Sequence, residues 1–211
     1  RSRGKALPED RVITMDTYVY KIGNNLYINL TNRCSNRCTF CVRDEKHPFE
    51  GYDLWLKECE PTAQQVIDLI GDPAQYGEIV FCGFGEPTYR LGTMLEICDY
   101  VHAKGGKTRL NTNGHGSIIN QHDITADLVG RLDGINISLN ASNARLYEKL
   151  CRPIYPEMAF DSMLFFAQAC REKGLNCWFS VVDCIGEEEV AACQKLADSV
   201  GIPLRVREMI S

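Results

Sequence analysis

Short apolar segments alternate along the chain with longer segments whose apolar residues recur at helical spacing. Residues 18–21 and 26–30 favour strands, and the turn signal Gly23-Asn24-Asn25 between them predicts a β-hairpin. Five further runs of strand length follow, at residues 78–82, 107–110, 134–139, 176–182 and 203–209. Amphipathic segments predict five helices, at residues 61–70, 92–104, 126–132, 156–173 and 187–200.

This alternation of strand and helix is typical of βα units arranged around a parallel sheet. Six such units are fewer than the eight of a closed barrel, so we expect an α/β fold, an open partial (β/α)6 barrel preceded by the short hairpin. A doubly wound sheet is the alternative. Residues 1–14 are polar and unpatterned, which predicts an extension or linker before a core domain of residues 15–211.

The apolar spacing also predicts which side of each helix faces the sheet. In the helix at residues 61–70 the predicted inward face is Val66, Leu69 and Ile70. In the later helices the predicted inward residues are Met163, Phe166, Ala167 and Cys170, and then Ala191, Ala192, Leu196 and Val200.

Composition narrows the class of protein. Hydrophobic residues make up 45% of the 211 residues, enough for a core, and the net charge of -5 argues against a general binder of nucleic acid or of anionic membranes. No apolar run approaches membrane-spanning length. The 11 cysteines are an odd number without a secretory signal, so we expect free thiols and a cytoplasmic location instead of a disulfide framework.

Three cysteines follow the second hairpin strand directly, Cys34, Cys38 and Cys41, in the pattern C-x3-C-x2-C. Thiolates so close in sequence can converge on one soft metal centre. A [4Fe-4S] cluster is usually held by four cysteines, so three would leave one iron with open positions for chemistry. The alternative is a non-catalytic zinc module that mediates protein contacts, with His47 as the fourth ligand, although this spacing is unusual for zinc.

A second constellation follows the strand at residues 78–82, where the chain reads Gly83-Phe84-Gly85-Glu86-Pro87. The two glycines would let the backbone approach a ligand closely, and Glu86 offers a carboxylate to a cation. The run is not a dinucleotide fingerprint, because Thr88 stands where that motif needs its third glycine. A tight strand-to-helix turn with a solvated glutamate is the alternative.

The cysteine motif, with Phe40 before its third cysteine, resembles the cluster loop of the radical S-adenosylmethionine (SAM) superfamily. Gly85-Glu86-Pro87, one βα unit later, resembles that family's glycine-glutamate motif. The resemblance implies a [4Fe-4S] cluster on the three cysteines, with the amino and carboxylate groups of SAM chelating the fourth iron. It implies reductive cleavage of SAM to methionine and a 5′-deoxyadenosyl radical, with Phe40, Gly83, Gly85 and Glu86 beside the cofactor.

The same resemblance implies SAM contacts at the ends of later strands. Asn111 and Asn113, alternatively an Asn-Gly turn, would meet SAM, while Ser138 and Asn140 would lie near its methionine or ribose. Two further residues are implied with alternatives: Arg152 at the SAM carboxylate or on the surface, and Ile185 near adenine or at a glutamate-rich helix start.

At closer range, residues 22–34 together with Gly83 to Pro87 are similar to the TatD-family-associated radical SAM proteins. That likeness implies a functional link to a TatD-type hydrolase. The superfamily chemistry implies SAM and an electron donor such as flavodoxin or ferredoxin as partners. The loop at residues 43–55, with charges and aromatic rings, is expected near the barrel mouth, and it leaves a protein, a peptide or a small metabolite open as substrate.

Overall fold

The computed structural model describes residues 16–45 and 48–209, and within these residues seven strands form one sheet. The strands lie side by side in chain order, β1 to β7. Only the hairpin pair β1–β2 is antiparallel, and the five later neighbour pairs are parallel. The strands are β1 Val19–Ile22, β2 Asn25–Ile28, β3 Ile79–Phe81, β4 Thr108–Thr112, β5 Gly134–Ser138, β6 Cys177–Val182 and β7 Leu204–Arg207.

The sequential strand order decides between the two predicted architectures. Each right-handed crossover moves to the next strand in the same direction, so the helices fall on one face and the sheet curls around the other. A doubly wound sheet would need the order to reverse at a switch point, and β2 to β7 never reverse. The prediction of a partial barrel with an N-terminal hairpin is therefore confirmed.

Eight α-helices connect the described strands: α1 Val42–Glu45, α2 Ala63–Ile70, α3 Leu91–Ala103, α4 Gly116–Asn120, α5 Thr125–Leu128, α6 Ala144–Cys151, α7 Ala159–Glu172 and α8 Glu187–Val200. Sequence reasoning missed α1, α4 and α6, and it extended α5 too far. A local signal for α6 was present: the side chain of Asn143 caps the helix by accepting the Leu146 N–H at 3.0 Å.

Two of the predicted helix faces need correction. Leu69 is 48% exposed, because Ala63, Val66 and Ile70 define the buried stripe of α2 and Leu69 lies to one side of it. In α8, Ala191 is exposed, and Cys193 and Ala197 are the buried residues. Ala191 precedes Cys193 by two residues, about 200° around the helix, so it points away from the sheet. The inward face of α7 is confirmed.

The two faces of the curled sheet differ in chemistry. Alternate strand residues such as Phe81, Leu110, Ile137 and Phe179 pack under the helices in the main core. Their neighbours on the inner face are largely polar: Asn111, Asn136, Ser138 and Ser180. A polar lumen thus opens towards the ends of the strands. Among the described helices, none is long and apolar enough to span a membrane.

Candidate active site

A cavity of about 310 Å³ lies at the carboxyl ends of the parallel strands. The cysteine loop forms one wall, and the turns that follow β3, β4 and β5 form the others. Eleven of the thirteen predicted site residues line it: Cys34, Cys38, Phe40, Cys41, Gly83, Gly85, Glu86, Asn111, Asn113, Ser138 and Asn140. Two motifs some 45 residues apart in sequence therefore meet at one place, as carboxyl ends of parallel strands do.

The cysteine loop is attached to the end of α6 through backbone hydrogen bonds. Arg37 N–H donates to Cys151 O and Thr39 N–H to Leu150 O, both at 2.8 Å, so that Cys38 is held between the two contacts. Ile154 N–H returns a bond to Ser35 O at 2.9 Å. Helix α6, which sequence reasoning missed, thus supports the predicted metal-binding loop.

A network of buried polar side chains also holds the cysteine loop in place. Ser35 Oγ lies 2.9 Å from His115 Nδ1, and Asn36 Nδ2 donates to Tyr147 Oη at 2.9 Å. His115 Nε2 lies 3.1 Å from the carbonyl of Ala159, which can only accept, so Nε2 carries the proton and Nδ1 accepts from Ser35. Burial lowers the pKa of His115 to about 4, so the imidazole is neutral at physiological pH.

Glu86 is buried, which overturns the alternative of a solvated glutamate. Its Oε1 accepts from Thr88 Oγ1 at 2.7 Å and from Thr112 Oγ1 at 2.8 Å, while Oε2 accepts from Asn113 N–H at 2.8 Å. Burial raises the pKa of this carboxyl, and the hydrogen bonds oppose the rise. Oε2 has this one donor in the described structure, so it can accept a further donor beside the cavity.

The two glycines have a structural role on the side that faces away from the cavity lining, while their predicted proximity to a ligand stays a prediction. A Cβ on Gly83 would lie 2.1 Å from Asn29 Oδ1, and one on Gly85 would lie 2.3 Å from Thr31 O and 2.5 Å from Arg33 O. The bare faces of both glycines are filled by the segment that leads from β2 to Cys34. Glycine is required because the Asn29 side chain at Gly83 and the backbone of Thr31 and Arg33 at Gly85 leave no room for a Cβ, and this contact sets the Glu86 turn against the cysteine loop.

Aromatic packing holds the Phe84 turn from the other side. The rings of Trp55 and Phe84 meet edge to face, with centroids 5.4 Å apart, and Phe84 belongs to a small cluster with Tyr20, Phe49 and Leu54. The described part of the loop at residues 43–55 therefore lies against the hairpin and the turn after β3. His47, the fourth ligand of the zinc alternative, lies outside the described residues.

The thiols differ in their surroundings. Burial raises the pKa of Cys34 to about 12, and its Sγ lies 3.4 Å from Asn36 N and 3.8 Å from Asn113 Nδ2. The Cys38 thiol contacts the buried thiol of Cys151, and this contact and burial raise the pKa of Cys38. Within the described residues, no three His, Cys, Asp or Glu side chains converge at metal-binding distance.

Two observations fit the implied cofactors nonetheless. The three thiols are soft donors of the kind that an iron–sulfur cluster takes, and all of them line one cavity. The amide oxygens of Asn136 and Asn140 are buried in the same cavity wall and have no donor among the described residues. Buried acceptors normally find a partner, so the wall suits a ligand that brings N–H or O–H groups.

The structure places two predicted residues away from the cavity. Arg152 is exposed and ends α6 in the left-handed region, with φ of 45°. Ile185 is partly buried and packs against the main core. Sequence reasoning in turn missed Asn136, whose signal was a polar residue at the centre of the apolar run Gly134-Ile135-Asn136-Ile137, the alternation of a strand with a polar inner face.

Comparison with known protein families identifies the chain. Residues 28–191, well over half of its length, match the family model of the radical SAM superfamily. The chain belongs to the radical SAM superfamily. Members use a [4Fe-4S] cluster and SAM, so the prediction of these two cofactors is confirmed at the level of the family.

Curated relatives of this radical SAM chain carry specific names. A GTP 3′,8-cyclase from Streptomyces coelicolor is 30% identical over 180 residues, which are 82% of this chain and 48% of that protein. Molybdenum cofactor biosynthesis protein 1 of Drosophila melanogaster is 30% identical over 129 residues, 60% of this chain and 21% of that protein. The chain therefore spans about half or less of the length of these relatives. Neither bears the name of the TatD-associated subgroup, which stays a prediction.

Solved structures share the fold of this radical SAM chain. Streptococcus suis SuiB bound to its precursor peptide SuiA superposes with a TM-score of 0.67 at 15% identity, over 91% of this chain and 40% of that one. The protein anSMEcpe with bound AdoMet gives a TM-score of 0.64 at 14% identity, over 88% of this chain and 51% of that one. At these identities the likeness concerns the fold alone.

Proposed function

We propose that this chain is the catalytic core of a radical SAM enzyme, with a [4Fe-4S] cluster on Cys34, Cys38 and Cys41 and SAM in the adjoining cavity. The observation that carries the proposal is that the three thiols and the Glu86 turn line one cavity of about 310 Å³. When bound, the two cofactors supply one-electron cleavage of SAM and a 5′-deoxyadenosyl radical. The residues of the chain bind and orient SAM for that step.

Glu86 is the proposed acceptor for the SAM ammonium. Oε1 already accepts three donors, from Thr88 Oγ1, Thr112 Oγ1 and Thr88 N–H, whereas Oε2 accepts one from Asn113 N–H. The remaining lone pair of Oε2 is thus the available place for an ammonium donor, and a charge-assisted hydrogen bond there would be strong because the site is buried.

The amide oxygens of Asn136 and Asn140 are the proposed acceptors for hydroxyl or amino groups of the ligand. Both are buried without a donor in the described structure, and binding a donor would remove the cost of leaving them unpaired. Asn111 and Ser138 lie on the same inner face, where β4 and β5 pair in register, and extend this polar surface. Arg152 and Ile185 have no place in this proposed pocket.

The deciding experiment is anaerobic reconstitution of the protein with iron and sulfide, followed by reduction in the presence of SAM. Release of 5′-deoxyadenosine is expected from the parent, and none from Cys34→Ala at equal protein concentration. A fully loaded parent protein that leaves SAM intact with several reductants would refute the proposal.

A purine ribonucleotide is the substrate class to test first, because the relatives named GTP 3′,8-cyclase are similar over most of this chain. GTP should then increase the rate of 5′-deoxyadenosine formation in the reconstituted protein and itself be converted, while CTP should do neither. If GTP is unchanged, a protein, a peptide or another metabolite stays as the substrate. The TatD link is tested separately, by co-purification with a TatD-type hydrolase.

A further inference from the structure

One face of α6 carries a row of positive charges. Arg145 and Lys149 lie four residues apart, about one helical turn, and Arg152 follows the last residue of α6 as its C-cap. All three are exposed. Arg37 of the cysteine loop is exposed too, and its backbone N–H donates to Cys151 O at the end of the helix, so it continues the row. These four residues are called the basic stripe below.

The stripe residues differ from several other arginines of this protein. The chain has a net charge of -5, and other arginines are paired with carboxylates, among them Arg33 with Glu60, Arg109 with Glu78 and Arg131 with Asp99. No ion pair of a stripe residue is found within the described structure. Arg145 and Lys149 are like charges four residues apart, which disfavours a helix. Glu148 is the one acidic residue of α6 and is exposed beside them, so the four stripe residues together with Glu148 carry a net charge of +3.

The position of the stripe supplies a reason. Arg37 and Thr39 are bonded to the end of α6, and Cys38 lies between them with its thiol against that of Cys151. The stripe residues Arg37 and Arg152 are thus the immediate chain neighbours of these two cysteines. None of the four stripe residues lines the cavity, so a protein bound on the stripe would approach Cys38 from outside and leave the cavity accessible.

We propose that the basic stripe is the docking surface for an acidic one-electron carrier protein. The inference rests on the proposed function, which requires that one electron reach the cluster for each SAM cleaved. The reduced carrier is oxidised by one electron, the cluster is reduced by one, and no atom is transferred. Opposite charges on the two proteins would raise the rate of productive encounter and orient the carrier towards Cys38.

The test compares two variants that change the net charge equally. Arg145→Glu combined with Lys149→Glu reverses the two stripe residues that lie within α6. Lys104→Glu combined with Lys195→Glu reverses two other exposed lysines, the C-cap of α3 and a residue of α8, and serves as the matched control. Thermal unfolding of all three proteins establishes that the substitutions leave the fold intact.

An acidic flavodoxin is the probe, used in two ways. Oxidised flavodoxin is titrated onto each cluster-loaded protein to measure the binding affinity without turnover. Reduced flavodoxin is mixed with each cluster-loaded protein to measure the rate of cluster reduction. At low ionic strength the stripe variant should lose about tenfold or more in affinity and rate, and the control variant much less. The difference should shrink as salt is added, because salt screens exposed charges.

Photoreduced deazariboflavin, a small uncharged reductant, separates this proposal from the proposed function. It should reduce the cluster equally in all three proteins, since it needs no docking surface. If deazariboflavin reduces the parent cluster and SAM is not cleaved, the proposed function fails while flavodoxin binding is still measured. Equal flavodoxin affinity in the stripe and control variants would overturn the docking proposal. It would also be overturned if the stripe variant lost binding to single-stranded DNA and kept its flavodoxin affinity.

Discussion

Glu86 Oε2 accepts the backbone N–H of Asn113 at 2.8 Å and so joins the turn after β3 to the turn after β4. Asn113 in turn donates through Nδ2 to Ser35 Oγ at 2.8 Å, beside Cys34. One carboxylate therefore connects the glycine-rich turn, the end of the next strand and the cysteine loop. Its loss should affect the geometry of the site as well as any charge that the site presents to SAM.

Glu86→Gln is expected to keep the cluster and weaken SAM binding. The replacement keeps the size of the side chain but removes the charge, and its amide NH2 can face the Asn113 N–H donor unfavourably. SAM affinity should fall by roughly ten- to hundredfold, the equivalent of ~1.5–3 kcal/mol for a charge-assisted hydrogen bond. The measurement is SAM titration at matched iron content, with Glu96→Gln on the exposed side of α3 as control. Unchanged affinity would mean that Glu86 is purely structural.

Gly85→Ala should destabilise the protein and impair cluster loading. The new Cβ would lie 2.3 Å and 2.5 Å from two backbone oxygens, of Thr31 and Arg33, so the segment before Cys34 must move. Overpacking of this kind costs about 1–3 kcal/mol. Gly92→Ala in α3 is the matched control, because its Cβ meets open space and alanine favours a helix by up to about 1 kcal/mol. Urea denaturation measures the free energy of unfolding of both variants. If Gly85→Ala is as stable as Gly92→Ala, the close backbone contact at Gly85 is contradicted.

Cys34→Ala and Cys151→Ala should separate a cluster ligand from a neighbouring thiol. Cys34 lines the cavity, whereas Cys151 is buried under the cysteine loop, where its thiol contacts Cys38 and accepts from Asn140 Nδ2 at 3.9 Å. Iron and sulfide analysis after anaerobic reconstitution should show loss of the cluster in the first variant and its retention in the second. Cys98→Ala, on the buried face of α3, controls for the loss of a core thiol. Loss of the cluster in Cys151→Ala alone would assign Cys151 as a ligand.

His115 should make the protein less stable as the pH falls. Its pKa is lowered from 6.5 to about 4 by burial, so the unfolded chain takes up the proton first. The contribution to stability is fully present above pH 6.5 and is lost as the pH falls to about 4, by about 3 kcal/mol. Urea denaturation across this range should show a flatter profile for His115→Gln than for the parent.

His122 provides a control of opposite sign for that experiment. Its side chain is exposed, and hydrogen bonds to the carbonyl of Asn120 and to Asp127 raise its pKa. A raised pKa gives a contribution that is present at low pH and lost as the pH rises. His122→Gln should therefore keep the loss of stability at acid pH, and a profile flattened by both substitutions would show that His115 is not its cause.

Much of the fold was determined by patterns that are local in sequence. The alternation of short apolar runs with amphipathic segments predicted the parallel strands, and the spacing of Cys34, Cys38 and Cys41 predicted the metal-binding loop without any knowledge of distant contacts. Glu86 was recognisable because the strand before it ends in a glycine-rich turn. Since parallel strands place their carboxyl ends together, these local signals were sufficient to predict that the cysteines and Glu86 would meet.

Only the tertiary structure decided which residues surround the three cysteines and the Glu86 turn. Ser35 meets His115, and Cys38 meets Cys151, across 80 and more than 100 residues of chain, and no periodicity in the sequence encodes such pairs. The same holds for Gly85, where the backbone of Thr31 and Arg33 occupies the space that a Cβ would fill. Arg152 shows the physical reason most clearly: sequence fixes which residue follows α6, but only the packing of that helix against the cysteine loop directs its side chain to solvent instead of the cavity.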